Sequence, residues 1–184
     1  MDGRITNDNI TNLKLNEVFV FGANEAGRHG AGAAKAALRF GAEYGQGEGL
    51  QGKSYGIPTK DVTVTRALTI DEIRPYVDRF IKFGTINPSF NFLVTEIGCG
   101  HAGLTPEQVA PLFLEAKKIT NIHLPKRFWD VIKYSLQQTE RIGIDDTQKK
   151  FNSIFASLLC DTSQCFIKCI DNKIYAIMIT TILE

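Results

Sequence analysis

The chain predicts an α/β fold of three layers, a mostly parallel central sheet covered on both faces by helices, followed by a C-terminal helix-and-hairpin extension. Three observations lead there. Two apolar runs, EVFVFGAN (Glu17–Asn24) and NFLVTEIGCG (Asn91–Gly100), have the composition of buried strands, and both end abruptly in glycines. Segments with helical spacing of apolar residues alternate with them. From about Arg141 the pattern changes to one apolar helix and two short apolar strands.

Taken in order, EVFVFGAN is the first core strand. The stretch EAGRHGAGAAKAALRFG after it starts as a loop and becomes a helix, because its Ala-rich part is strongly helix-forming and closes at Gly41. SYGIPTKDVTV reads as an irregular strand or pair of strands, favoured by Pro58 and β-branched residues. In LTIDEIRPYVDRFIKFG, Ile73, Val77, Phe80 and Ile81 share a helical face, and Thr69 with Glu72 forms a capping box; Pro75 implies an irregular first turn or a kink. NFLVTEIGCG is the second clear strand. LTPEQVAPLFLEAKK predicts one helix with Thr105 as N-cap, Pro106 at its first position and Gln108 completing the box. NIHLP is a short strand and KRFWDVIKYSLQQ a helix. In the extension, TQKKFNSIFASLLC places Phe151, Ile154, Phe155, Leu158 and Leu159 on one face, and CFIKCIDNKIYAIMI reads as two strands turning at Asp171-Asn172. The expected division is residues 1–140 as the main domain and 141–184 as an extension packed on it or on a partner chain.

Bulk properties narrow the function classes. With 184 residues and a net charge of +1 spread without long runs of either sign, the chain carries no electrostatic footprint for nucleic acid or an anionic membrane. The N-terminus lacks the apolar core of a signal peptide, and the longest apolar run, IYAIMITTIL, is too short to span a bilayer, so a soluble cytoplasmic protein is expected. Cys160, Cys165 and Cys169 match no zinc spacing, and Cys99 stands alone; reduced thiols are expected, with no metal and no cofactor.

One motif points elsewhere. GEGLQGKS (Gly47–Ser54) satisfies G-x-x-x-x-G-K-[ST], the phosphate loop of ATPases and GTPases, and also contains G-x-G-x-x-G. Such loops work only between a buried strand and a helix, where backbone N–H groups and the helix N-terminus converge on the anion. Here a helix end precedes the motif and an extended segment follows Lys53, so a flexible glycine loop is the expectation.

The ligand candidates lie after the two core strands, since parallel sheets bind ligands beyond their carboxyl ends. In the first loop, Gly30, Gly32 and Ala33 open a helix whose free N–H groups suit a phosphate, and Arg28 and His29 can add hydrogen bonds. In the second, Gly98, Gly100 and Gly103 permit another nest of backbone donors, with Cys99 and His101 projecting from it. A Cys and His two apart invite a nucleophile-and-base reading, but no third orienting group is evident. Glu96 reads as a surface or capping carboxylate, with general base as the alternative, and His123 as structural.

Together GANEAGRHGAGAAKAALRFGAEYG, GLQGKSYGIPTKD and VTEIGCGHAG resemble the macro domain, the ADP-ribose-binding α/β module, and more closely a divergent macro-like family of bacteria and phages. The likeness covers roughly Glu17 to Trp129. It implies that Asn24 contacts the distal ribose, that Gly30, Gly32 and Ala33 belong to a first phosphate loop, and that Cys99, Gly100, His101 and Gly103 belong to a second; Gly22, Arg28 and Gly98 are further ligand-binding candidates beside them. Asn24 and His29 are then the catalytic candidates. Two departures stand out: Asn16 and Glu17 occur where an adenine-reading Asp is common, and Ala102 where an aromatic is common. The implied function is binding of ADP-ribose or a related nucleotide, or of an ADP-ribosylated substrate, with possible hydrolysis of ADP-ribosyl linkages. The alternatives are a non-catalytic nucleotide-sequestering or protein-interaction module and, last, a P-loop NTPase.

Overall fold

The computed structural model describes residues 4–136 and the backbone of two later strands, Cys165–Ile170 and Lys173–Met178. The chain divides into two compact units, Met1–Leu136 and Gln137–Glu184. In the first, strands β1 (Ile5–Thr6), β2 (Glu17–Asn24), β3 (Gly49–Gln51), β4 (Ser54–Lys60), β5 (Asn91–Val94) and β6 (Ile122–Pro125) form one sheet in the order β1-β6-β5-β2-β4-β3. All neighbours are parallel except β3, which returns antiparallel along β4. The α/β class and the mostly parallel sheet are therefore as the sequence predicts. Among the described residues no helix is long and apolar enough to cross a membrane.

The alternation of β2 assigns the two faces of the sheet. Val18 and Val20 point to one side, where Tyr55, Ile57, Phe92 and Val94 join them under helix α2 (Ile70–Ile86). Phe80 of α2 sits at the centre of that core, edge-on to Phe92 with ring centroids 5.5 Å apart. Phe19, Phe21 and Ala23 point to the other side, against Ala34 and Ala37 of the short helix α1 (Gly32–Ala37).

Local signals account for most helix boundaries. Helix α2 starts at the expected capping box, where Glu72 N donates to Thr69 Oγ1 at 3.3 Å and Thr69 N donates to Glu72 Oε2 at 2.7 Å, and it runs through Pro75 as one helix. The expected single helix from Pro106 is broken instead: α3 (Pro106–Val109) gives way to a 3-10 run over Ala110–Lys118. Pro111 is the physical reason, since it cannot donate to the carbonyl four residues back and its ring crowds that carbonyl. Helix α4 (126–136) buries Phe128, Trp129 and Ile132. In the second unit, β7 (Cys165–Ile170) and β8 (Lys173–Met178) pair antiparallel with Ile170 opposite Lys173, the expected hairpin across residues 171 and 172. The helix expected at 147–160 lies outside the described residues.

The GEGLQGKS stretch is neither a phosphate loop nor a flexible one. Gly49–Gln51 is strand β3, and a two-residue turn beginning with Gly52, at φ +56°, leads straight into β4. Lys53 lies at the amino end of β4, with Nζ donating to Lys14 O at 2.7 Å, at the opposite end of the sheet from the strand carboxyl ends. The glycines serve close packing. A Cβ at Gly47 would overlap the Asn24 carbonyl oxygen, and one at Gly56 would fall 2.6 Å from Gly47 O. Gly47→Ala is therefore expected to destabilise the fold by about 3 kcal/mol or more through backbone overlap. Lys53→Ala, which removes one exposed hydrogen bond, should cost less than about 1 kcal/mol. Denaturant unfolding of the two variants measures both.

Candidate functional site

Parallel pairing brings the carboxyl ends of β4, β2 and β5 side by side, and the segments that follow them enclose a crevice of about 510 Å³. That volume falls in the range of small-molecule sites. A register irregularity between β2 and β4 helps to furnish it: Ala23 pairs with Pro58 but Asn24 with Lys60, leaving Thr59 as an extra residue. Bulges of this kind re-aim side chains. Here Thr59 Oγ1 donates to Ala23 O at 3.2 Å, and both Thr59 and Lys60 line the crevice.

The first loop is closed by Asn24. Its Oδ1 accepts from Arg28 N at 2.9 Å and its Nδ2 donates to Arg28 O at 2.7 Å, so one buried amide braces both polar groups of the fourth residue on. Beyond that brace, the backbone N–H groups of Gly30, Ala31, Gly32 and Ala33 have no hydrogen-bond partner among the described residues. The second loop is a compact turn, with Gly103 N donating to Gly100 O at 2.9 Å and Leu104 N to Gly98 O at 3.0 Å. Gly98 (φ +76°) could not be replaced, because a Cβ there would also meet Leu104 Cδ1 at 2.9 Å. The N–H groups of Gly98, Gly100 and His101 are likewise unpartnered among the described residues. The two loops touch, as a Cβ on Gly32 would lie 3.3 Å from His101 Nδ1.

Charge in the crevice is unbalanced. Arg28 and Lys60 line it without an ion pair among the described residues, whereas the carboxylate of Glu96 is held by Arg127 at 2.9 Å. Lys60 Nζ makes one long hydrogen bond, 3.4 Å, to Val64 O. Val64 itself is strained, a β-branched residue at φ +66° on the wall of the crevice. Its loop is held in place by Thr63 Oγ1 donating to the Asp61 carboxylate at 2.9 Å and by Val64 N donating to Asp61 O at 3.1 Å.

Of the residues selected from sequence, Gly22, Asn24, Arg28, Gly30, Gly32, Ala33, Gly98, Gly100 and His101 line this crevice. Gly103 shapes the second loop from outside it. Cys99 lines an adjoining groove instead; its Sγ donates to Ile97 O at 3.5 Å, and burial, aided by Glu96, pushes the thiol up to about 11. A thiol with that value is protonated near neutral pH and is no ready nucleophile. His29 is fully buried away from the crevice: Nε2 donates to Glu43 O at 2.9 Å, and the ring packs edge-on against Phe21. It pins the first loop from beneath and does not line the crevice. Among the described residues no three His, Cys, Asp or Glu side chains converge as a metal site would require.

Sequence reasoning missed Thr59, Lys60, Val64 and Thr95 in the crevice, and Asp8 beside it. A groove of about 380 Å³ shares Gly32, Ala33, Thr95, Glu96 and Gly100 with the crevice and extends it to Asp8, Ile10 and Phe19. The position of Lys60 was legible in principle, since the end of β4 must lie beside the end of β2. Asp8 follows a two-residue strand and gives no local signal. A larger groove, about 570 Å³, lies over Leu93 and His123 but contains neither glycine loop.

Asn24→Ala removes both braces of the first loop and is expected to lower stability by about 1–2 kcal/mol, read as a fall in Tm of the unliganded protein. In the wild type, alkylation of Cys99 by iodoacetamide should be slow at neutral pH and rise steeply only as pH approaches about 11.

The chain matches no model of a protein family, no curated protein and no solved structure.

Proposed function

We propose that this chain binds ADP-ribose or a related nucleotide, with the pyrophosphate between the two glycine loops. One observation carries the reading: residues of both glycine loops whose backbone N–H groups have no partner among the described residues, and two cations without an ion pair there, Arg28 and Lys60, line one crevice whose one lining carboxylate among the described residues, Glu96, is paired with Arg127. Such a surface suits an anion, because its oxygens can satisfy backbone N–H groups that have no internal partner. The resemblance of the two loop sequences to macro domains points to the same ligand class. Lys53 plays no part, since it sits at the far end of the sheet.

Binding without hydrolysis is the form of this reading that the side chains favour. Asn24 spends one hydrogen bond from each end of its amide on Arg28, His29 is buried, and the Cys99 thiol is protonated. Each candidate for chemistry is engaged in holding the loops. Release of ADP-ribose from an ADP-ribosylated protein by the wild type would extend the function to hydrolysis.

Gly30 and Gly100 offer the cleanest test, because neither has an atom within 4 Å of a would-be Cβ and neither is at positive φ. Gly32, at φ +56°, would strain any side chain and confuse lost binding with lost fold. Gly30→Val and Gly100→Val should keep the wild-type Tm without ligand. The wild type should be stabilised by about 2.7 kcal/mol at ADP-ribose one hundred times Kd, and the two variants by almost nothing. Absence of any shift in the wild type with ADP-ribose, ADP and AMP would sink the nucleotide reading.

A further inference from the structure

The carboxylate of Glu96 is out of place in an anion site. It lies at the junction of the crevice between the glycine loops, the groove leading to Asp8, and a third groove of about 410 Å³ beyond it. Arg127 Nη1 donates to Glu96 Oε2 at 2.9 Å, whereas Oε1 has no hydrogen bond among the described residues. A free carboxylate oxygen beside a bound pyrophosphate costs affinity by like-charge repulsion, which the single pair to a largely exposed Arg127 only partly offsets. Such a cost is recovered if the ligand brings a neutral donor to that oxygen.

The geometry of the grooves says which donor. From the phosphate loops, one direction leads past Thr59, Lys60 and Val64. The other leads past Thr95 and Glu96 to a groove lined by the apolar Ile10, Phe19 and Ala36 and by the polar Asp8, Asn9 and Arg39, a mixture that suits a purine with its exocyclic amino group and ring nitrogens. In a nucleotide the ribose lies between phosphate and base. With the base over Phe19, the hydroxyl-bearing sugar meets Glu96.

We infer that Glu96 reads the 2′- or 3′-hydroxyl of the nucleoside ribose, so that the site selects ribonucleotides over deoxyribonucleotides and rejects ribose carrying a phosphate at that hydroxyl. The inference rests on the nucleotide reading above and adds the sugar class. A carboxylate accepts from two vicinal hydroxyls but has nothing to offer a hydrogen or a phosphate in their place, which is the physical basis of ribose selection by acidic residues in dinucleotide sites. Arg127 acts here as a positioning residue that orients the carboxylate so that Oε1 faces the ligand.

The test is calorimetric titration of the full chain with ADP, 2′-deoxy-ADP, 3′-deoxy-ADP and inorganic pyrophosphate, in the wild type, Glu96→Ala and Glu96→Gln. Wild type is expected to bind ADP about tenfold more tightly than at least one deoxy analogue. In Glu96→Ala that preference should fall to about twofold or less while pyrophosphate binds at least as tightly as before, which also shows that the variant is folded. Glu96→Gln, still an acceptor, should keep an intermediate preference. Equal wild-type affinity for ADP and both deoxy analogues overturns the Glu96 inference and leaves the nucleotide reading standing, as does a preference that survives in Glu96→Ala. Failure of wild type to bind any of the four overturns the Glu96 inference, and overturns the nucleotide reading as well where ADP-ribose and AMP also fail to bind.

Discussion

The contact on which the rest of the structure depends is between two stretches of backbone. The first loop, from Asn24 to Gly27, lies directly on the segment Gly45–Gly47, which in turn lies on Gly56 of β4. A Cβ at Gly27 would overlap Gln46 N, and one at Gly47 would overlap Asn24 O. Side chains are therefore excluded from this layer, and backbone groups satisfy one another across it: Gly45 N donates to Gly27 O at 3.0 Å. Polar side chains fasten its margins. Buried Gln51 accepts from Glu43 N at 2.6 Å and donates to Gln46 O at 3.0 Å, while His29 reaches Glu43 O. The first loop is thus held by its underside, directly through Gly27 and His29 and indirectly through the Gln51 bonds that fix the segment beneath it.

A loop held from beneath leaves its upper surface for a ligand. Asn24 closes the ring from Asn24 to Arg28, and what emerges from that ring is a run of backbone donors with no internal partner. On the opposing wall stand the bulge at Thr59 and the strained Val64. Strain of this kind persists only where surrounding hydrogen bonds over-determine it, as the Asp61–Thr63 cluster does. The stability that these features cost is supplied by the aromatic core on the other face of the sheet, where Phe80 contacts Tyr55, Phe92 and Phe113.

How much of this could be read in the sequence depended on whether the cause was local. The capping box of α2, the two core strands and the 171–172 hairpin follow from residue type and spacing within a few positions, and they are found where the sequence puts them. Pro111 is also local, but the expectation of one helix from Pro106 rests on Thr105, Pro106 and Gln108 alone. The glycines of GEGLQGK were misread as flexibility because their partners, Asn24 and Gly56, come from segments whose proximity only the folded sheet creates. The same holds for His29, since a histidine in a glycine loop gives no sign of which side of the loop it will face. Most site residues after β2 and β5 were legible, because parallel topology alone brings those loops together. Lys60 needed the relative register of β2 and β4, and Asp8 needed the position of an edge strand two residues long.

The position of Lys53 shows why a short motif must be tested against topology. In a parallel sheet, anions are bound where strands end and helices begin, because there the unpartnered N–H groups of loops and helix N-termini face outward together. Lys53 precedes its strand and is followed by no helix, so whatever its pattern, it lies among groups already paired with one another: Lys53 N donates to Phe40 O at 2.7 Å and Lys53 O accepts from Phe19 N at 2.9 Å. No helix N-terminus follows to converge further donors on an incoming phosphate. At the other end of β2, by contrast, the donors are free because the glycine contacts beneath the first loop have already fixed its shape. The glycines that imitate a nucleotide motif and the glycines that line the crevice are thus parts of a single arrangement, the former holding the backbone on which the latter are displayed.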